Sequence, residues 1–263
     1  PSFPHAMADC KRPWEIPDLS TVPTSSLVEE IQRRLRCKRE PERRIVLIGP
    51  PGAGKGTQAP SLAKEYCICR VAMGDLLRNA IVSSSPIAKK ARDAMDAGEL
   101  VGDDVVIDLL KEKLQEPQCR RGFVLDGFPR TVNQARKLDD MLGQSSKTLD
   151  NAIELQVSKR TIIERVSGRL IHRKSGRAYH PKFHPPVVAG KDDITGEHLI
   201  HRTDDNPDLL RKRYETYGTF TGGVLKYYEN QGKLGKINGD QPVKSVFSDL
   251  LKYIRGSDVC KKS

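Results

Sequence analysis

Residues 45–57 read IVLIGPPGAGKGT, four apolar residues followed by a glycine-rich loop. The run 45–48 is apolar without alternation, which is typical of a strand buried on both faces of a parallel sheet. Glycines then allow a tight turn, and residues 55–66 have the pattern of a helix. The stretch therefore predicts a strand, a glycine loop and a helix in that order.

The chain after this stretch keeps alternating between strand and helix patterns. Further strands are predicted at 122–127, 152–157 and 236–238, and further helices at 74–83, 87–97, 103–115, 131–142, 159–169, 207–230 and 243–254. Such alternation predicts an α/β protein with a parallel sheet covered by helices on both faces. Residues 171–206 interrupt the rhythm, because they are rich in His, Pro, Gly and Asp and lack a long apolar period. We interpret them as an inserted domain or a mobile lid.

The composition limits the classes of partner that the protein can be expected to bind. The 263 residues carry a formal charge of +11, which suits nucleic acid, an acidic membrane surface or a small polyanion. No motif for binding DNA or RNA is found, so we expect no nucleic-acid partner. No stretch approaches the roughly 18 apolar residues of a membrane span, so we expect no integral membrane segment.

Residues 1–41 form a proline-punctuated extension, which we expect to be partly disordered. Within it, Leu27, Ile31 and Leu35 recur every four residues among basic side chains, which predicts a short helix over 25–39 capped near Ser25 or Ser26. This helix could dock on the domain, touch a membrane or have no role. Part of 1–6 is expected to be foreign to the natural chain, with Met7 as its initiator.

Six cysteines are too few for a disulfide scaffold in a chain of this length. Buried structural thiols are therefore the default interpretation. A bridge between Cys69 and Cys119 is possible in an oxidising compartment, but spacing alone does not give the connectivity.

The glycine loop has the features of a phosphate-binding site. Its backbone N–H groups can turn inward, the following helix adds positive potential, and Lys55 can reach phosphate oxygens. The loop departs from the usual pattern because Gly56 follows the lysine and the hydroxyl comes one residue later, at Thr57. A tight turn in an ordinary strand–helix junction is the alternative.

Two further features support phosphate chemistry. Asp126 ends a predicted strand, where a carboxylate can hold Mg²⁺ through water, and Arg130 follows it closely. A surface turn stabilised by an Asp–Arg pair is the alternative. Arginines also recur in otherwise unrelated segments, and guanidinium groups match phosphate geometry. They are Arg78, Arg130, Arg165, Arg169, Arg202 and Arg213.

Several separated segments together resemble the adenylate kinases of the long-lid type. They are residues 49–60, 74–78, 96–101, 122–131, 168–180, 192–200 and 202–213, and the similarity runs from about 44 to 251. The resemblance implies a P-loop NTPase fold of three layers with a central parallel five-stranded sheet. It divides the chain into an N-terminal extension (1–41), a core (42–72, 103–170 and 207–263), an AMP-binding arm (73–102) and a lid (171–206).

The resemblance also implies an activity, the reversible Mg²⁺-dependent reaction of MgATP with AMP to give two ADP. Segments around Cys67–Cys69 and Cys119, with Cys260, look most like the mitochondrial intermembrane-space type, and the cytosol is the alternative location. We expect a monomer whose partners are ATP, ADP and AMP.

Roles for single residues follow from the same resemblance. ATP would be bound by Gly52, Ala53, Gly54, Lys55, Gly56, Thr57, Arg169, Ala178, Tyr179 and Gln241. AMP would be bound by Met73, Arg78, Glu99, Leu100, Val101, Gly127, Phe128, Arg130, Gln134, Arg202 and Arg213, with Gln134 reading the adenine edge. The catalytic set would be Lys55, Asp126, Arg130, Arg165, Arg169, Arg202 and Arg213, with Mg²⁺ held through waters near Thr57 and Asp126. Asp204 and Asp205 would hold the lid arginines.

Two positions depart from this family. Met73 stands where Thr or Ser is usual, and the lost hydrogen bond is worth about 0.5–1.5 kcal/mol, so the KM for AMP could rise or base choice could loosen. Glu99 stands where Lys or Gln is common, with little effect expected because its contact is through the backbone.

Four lid positions bear on a zinc site, because some bacterial members carry metal-binding cysteines there. Here they are His172, Ser175, Asp192 and Thr195, and Ser and Thr are poor zinc ligands. We therefore predict a hydrogen-bonded quartet and no zinc.

The alternatives are another nucleoside monophosphate kinase, such as a GTP:AMP phosphotransferase, or a P-loop nucleotide-binding protein that is not a kinase. The long insertion at 171–206 argues against the pyrimidine kinases, whereas the choice between ATP and GTP stays open.

Overall fold

The structure, a computed structural model, describes residues 23–80, 93, 100–201 and 205–260. It divides into two compact units, Pro1–Glu40 and Pro41–Ser263. In the first, helix α1 (Thr24–Arg39) confirms the predicted helix. The predicted cap at Ser25 or Ser26 is wrong, because Pro23 precedes the helix and no side chain caps it.

A five-stranded sheet of parallel strands organises the second unit. Its strands are β1 (Arg43–Ile48), β2 (Cys69–Ala72), β3 (Gly122–Asp126), β4 (Asn151–Gln156) and β7 (Leu234–Asn238), in the order β2-β3-β1-β4-β7. In the register, Leu47 of β1 and Ala72 of β2 both face Asp126 of β3. The predicted parallel sheet is confirmed, and it brings the glycine loop and Asp126 to the same edge.

Helices cover both faces of this sheet. They are α2 (Lys55–Tyr66), α3 (Met73–Ala80), α4 (Asp103–Gln115), α5 (Val132–Gly143), α6 (Lys159–Ser167), α7 (Pro207–Asn230) and α8 (Val243–Cys260). Successive residues of β1 point to opposite faces, so that Val46 packs with α4, α5 and α7 and Leu47 packs with α2 and α8. The result is the expected fold of three layers with a central parallel five-stranded sheet.

One strand of the sheet was not predicted, and one predicted helix lies almost entirely outside the described residues. The edge strand β2 is missing from the strands identified by pattern, because it has only four residues and includes Arg70. The helix predicted at 87–97 lies outside the described residues except for 93, as does the end of the helix predicted at 74–83. None of the described helices is long and apolar enough to cross a membrane.

A disulfide joins Cys69 of β2 to Cys119, which ends a short 3-10 turn (Pro117–Cys119) just before β3. The default expectation of free structural thiols is therefore wrong for this pair, because the fold brings their Cα atoms to 4.8 Å although they are 50 residues apart.

The segment between β4 and α7 carries a second, smaller sheet. Strands β5 (Leu170–Ile171) and β6 (Ala178–Tyr179) pair antiparallel, and an isolated bridge joins Ile171 to Ile200. Short pairings of this kind need side-chain contacts for support, and a polar cluster described below supplies them.

Candidate active site

A cleft of about 780 Å³ opens at the carboxyl ends of the strands. Ligands in open α/β sheets bind at this edge, next to the point where the strand order reverses. Here β1 has β3 on one side and β4 on the other, and the loop that follows β1 forms the floor of the cleft. The cleft therefore lies where the sequence predicts phosphate binding.

The glycine loop is shaped by close packing. Gly52 has a φ of +79°, and a Cβ at this position would lie 2.8 Å from Cγ2 of Val166. Only glycine fits there without strain. Lys55 Nζ donates to the carbonyl oxygens of Gly49 (2.7 Å) and Pro50 (2.9 Å), so the ammonium group closes over its own loop.

Burial changes the chemistry of this lysine. Loss of solvent around Nζ is the main cause that brings the pKa of Lys55 from 10.5 to about 8. The guanidinium groups of Arg130 and Arg213 contribute to this decrease in pKa, and the carboxylate of Asp126 opposes it. A bound polyphosphate would reverse this balance by adding negative charge beside the ammonium group.

We expect ATP binding to take up protons near pH 8. In the free protein Lys55 loses its proton as the pH rises through about 8, whereas the bound phosphates hold it protonated, so binding at pH 8 should take up about half a proton. Calorimetry of ATP binding at pH 8 in buffers of different ionisation enthalpy measures this uptake. A Lys55→Met variant is the control, and a binding enthalpy of the natural protein that is independent of buffer would contradict the assignment.

Asp126 lies against the first turn of α2. A Cβ on Gly56 would be 3.4 Å from Oδ2 of Asp126, an ordinary contact distance, and Thr57 also lines the cleft. Carboxylate and hydroxyl oxygens are ligands that suit Mg²⁺, which keeps several waters. In the described part of the chain no group of three His, Cys, Asp or Glu side chains is spaced to hold a metal ion. Mg²⁺ held through water and nucleotide oxygens fits this site.

Three of the predicted arginines line the cleft above the loop. Arg165 donates to the carbonyl of Gly239 (2.8 Å), Arg169 forms two hydrogen bonds with Asp205, and Arg213 lies 3.8 Å from the same carboxylate. Asp205 thus holds two guanidinium groups beside each other, as the resemblance implies. Arg202, Glu99 and Asp204 lie outside the described residues.

The other end of the cleft is lined by residues that were predicted to bind AMP. Arg78 pairs with Asp75 at 2.5 Å, and Nε of Arg130 donates to the carbonyl of Gly127 at 2.9 Å. Met73 is almost fully buried and packs in the core. Leu100, Val101, Phe128 and Gln134 complete this wall.

The resemblance places three residues beside the adenine of ATP, with the backbone near Gln241 making its contact. Ala178, Tyr179 and Gln241 all line the cleft. However, the hydroxyl of Tyr179 donates to Asp192 at 2.9 Å, and the amide of Gln241 donates to the carbonyl of Asn238 at 3.0 Å. The polar atoms of these side chains are engaged in structure, so contact with a base would come from their backbone or apolar parts.

The structure brings the four quartet positions together. His172 Nδ1 lies 2.7 Å from Ser175 Oγ, and the hydroxyl of Thr195 donates to Asp192 at 2.9 Å. Thr195 Oγ1 also lies 3.4 Å from His172 Nε2. These contacts link the turn after β5 to the turn at 192–196.

Sequence reasoning missed two partners of this quartet. Arg177 forms two hydrogen bonds with Asp192 (2.8 and 2.6 Å), and Glu197 lies 2.7 Å from His172 Nε2. The Arg177 guanidinium holds the pKa of Asp192 far below its usual range. Residues 171–200 are thus stabilised by a larger polar network than residue type indicated.

Arg70 was also missed. It lines the cleft from β2, and its NH2 group lies 3.8 Å from Asp75 and close to Gly56. A single arginine in a short strand carries no recognisable signal, so only the fold shows that it reaches the site.

Comparison with known proteins identifies the family of the chain. Residues 47–233 match the family described as Adenylate kinase. The chain is 44% identical to Adenylate kinase 4 of Oryza sativa subsp. japonica over 237 residues, 90% of this chain and 98% of that protein. It is 45% identical to Adenylate kinase 4 of Arabidopsis thaliana (90% and 96% covered) and 47% identical to an adenylate kinase of Kluyveromyces lactis (80% and 93% covered). The chain therefore belongs to the adenylate kinase family, whose members are ATP:AMP phosphotransferases.

Proposed function

We propose that this adenylate kinase transfers the γ-phosphoryl group of MgATP to AMP reversibly, giving two ADP, within the cleft described above. The observation that carries the proposal is the presence of two separate groups of positively charged side chains inside one cleft. The glycine loop with Lys55 lies at one end, and Arg78 with Arg130 lies at the other. Phosphoryl transfer needs two substrates held in line and neutralised negative charge, and this arrangement supplies both.

On the donor side, the residues act by binding and orienting the triphosphate. Backbone N–H groups of 52–57 and the start of α2 would hold the β- and γ-phosphates. Lys55 would exchange its two carbonyl contacts for phosphate oxygens. Arg165, Arg169 and Arg213 would stabilise charge on the transferred group, with Asp205 keeping two of them in place.

On the acceptor side, Arg78 and Arg130 would bind the AMP phosphate as charge-assisted, two-pronged contacts. The adenine would pack against Met73, Val101 and Phe128, with Gln134 at its edge. In this assignment Met73 supplies apolar contact, and the hydrogen bonding to the base comes from Gln134.

Mg²⁺ would be held by water ligands ordered by Asp126 and Thr57, and when bound it would neutralise charge on the β- and γ-phosphates. Asp126 also lies close enough to Lys55 to favour its charged form.

We assign residues 73–102 as the AMP-binding arm and 171–206 as the lid, which close to exclude water. The described parts of both segments meet, since a Cβ on Gly176 would lie 2.9 Å from Oδ2 of Asp75. Closure protects the phosphoryl group from hydrolysis by solvent.

A panel of substrates tests the assignment. Phosphoryl transfer from ATP or GTP to AMP, GMP, CMP and UMP should be fastest for ATP with AMP. The alternative kinases are not favoured by the comparisons, and an acceptor used as well as AMP would show that the adenylate assignment is wrong. ATP hydrolysis without transfer to any acceptor would instead favour a nucleotide-binding protein that is not a kinase.

For location, we propose the mitochondrial intermembrane space and a monomeric state. The disulfide between Cys69 and Cys119 supports an oxidising compartment, because such bonds are rare in the reducing cytosol. Imaging the native protein together with markers of mitochondria and cytosol tests this location.

A further inference from the structure

The amide group of Gln134 is held from two sides. Its Oε1 accepts the backbone N–H of Arg130 at 2.8 Å, and its Nε2 donates to Oδ1 of Asp103 at 2.7 Å. The side chain is only 2% exposed and lines the cleft, whereas Asp103 lies behind it at the start of α4. The backbone N–H of Gln134 is in turn bound by the hydroxyl of Thr131 (3.1 Å), so the whole residue is positioned.

These two contacts allow one orientation of the amide. Turning the group by half a revolution would place its NH₂ against the N–H of Arg130 and its oxygen against the carboxylate of Asp103. Donor would then face donor and acceptor would face acceptor. Asp103 itself does not rotate freely, because its Oδ2 accepts from Asn133 Nδ2 at 2.7 Å.

The orientation decides what Gln134 offers to a base. One N–H of Nε2 and one lone pair of Oε1 remain for the cleft. A 6-aminopurine presents an acceptor at N1 and a donor on its amino group, which match this pair. A 6-oxopurine presents a donor at N1 and an acceptor at O6, which would match only the opposite orientation.

We propose that Asp103 is a positioning residue that makes the site selective for 6-aminopurine over 6-oxopurine monophosphates, by locking the amide of Gln134. The inference rests on the role proposed above for Gln134 in reading the base. Met73 increases the importance of this lock, because a thioether at the base adds no strong hydrogen bond.

Asp104 offers a matched control. Both acids lie in the first turn of α4, so both interact with the helix dipole in the same way. Asp104 is exposed and pairs only with Lys137 among its described contacts, at 2.6 Å. Comparing Asp103→Ala with Asp104→Ala therefore separates the contact to Gln134 from a general loss of charge at this helix end.

The test measures kcat/KM for AMP and for IMP, with ATP as donor, in the natural protein and both variants. In Asp103→Ala the preference for AMP over IMP should fall by about tenfold or more, through a higher KM for AMP and a gain with IMP. In Asp104→Ala it should stay within about twofold of the natural value. The KM for ATP should be unchanged in both variants, whereas a general loss of structure would also change the KM for ATP.

Two further variants test the contact between Asp103 and Gln134 and the role of Gln134 itself. Asp103→Asn keeps the size of the side chain, but its amide can present an N–H to a turned Gln134. The preference of this variant for AMP over IMP should therefore also fall. This variant replaces Asp103→Ala if the alanine variant does not fold. A fall of less than about fivefold relative to Asp104→Ala in the folded Asp103 variant overturns the inference. Gln134→Leu should abolish the preference. If Gln134→Leu keeps the preference for AMP, the role proposed for Gln134 is wrong. If Gln134→Leu loses the preference while Asp103→Ala keeps it, only the inference about Asp103 is wrong.

Discussion

Replacing Lys55 by alanine should lower kcat by about 10²- to 10³-fold, the usual cost of removing one positioned charge from the transition state. The lysine is half-buried at the mouth of the glycine loop, and its two contacts are to carbonyl oxygens that a phosphate would replace. Steady-state assays of transfer from ATP to AMP, in both directions, measure the loss.

The fold should survive this change. A buried ammonium group with a lowered pKa is not a source of folding stability, so the thermal midpoint of Lys55→Ala should stay close to that of the natural protein. Lys64→Ala is a matched control, because Lys64 is exposed on the same helix and does not line the cleft. Activity of Lys55→Ala equal to that of the Lys64 variant would show that Lys55 has no part in transfer.

Removing the disulfide between Cys69 and Cys119 should lower the free energy of unfolding by about 4 kcal/mol, the loop-entropy value for a closed loop of this size. The bridge spans 50 residues and joins the edge strand β2 to the turn before β3. Equilibrium unfolding in urea of the Cys69→Ala/Cys119→Ala double variant measures the effect.

The single variants supply the control. Each breaks the bridge, so Cys69→Ala and Cys119→Ala should each lose nearly as much as the double variant. If the two single losses instead add up to the double loss, the stabilisation comes from packing of the two buried sulfur atoms and not from the covalent link.

Much of the core could be predicted, because its signals are local. The run 45–48 is apolar on both faces and became the central strand, and the glycine loop and α2 follow where periodicity puts them. The edge strand β2 could not be found in this way, since only its pairing with β3 distinguishes it from a loop. Boundaries also moved: α8 continues to Cys260, beyond the predicted end at 254.

The residues of the site likewise fall into those that the sequence predicts and those that it does not. Lys55, Asp126 and Arg130 follow strand ends, and parallel strands bring such ends together, so their meeting was predictable. Arg70, Arg177 and Glu197 were not found, because each acts through a contact with a residue distant in sequence or through its place on a strand that was itself missed.

The amino-acid sequence by itself determined the phosphate loop, the alternation of strands and helices, and the family to which the chain belongs. The loop and the alternation depend on backbone preference and apolar periodicity over short stretches, whereas the family follows from the resemblance of several separated segments. Only the tertiary structure decided which cysteines are joined, that Arg177 pairs with Asp192, and which way the amide of Gln134 faces. The physical reason is that hydrogen-bond direction and covalent pairing depend on partners the fold brings together from distant segments.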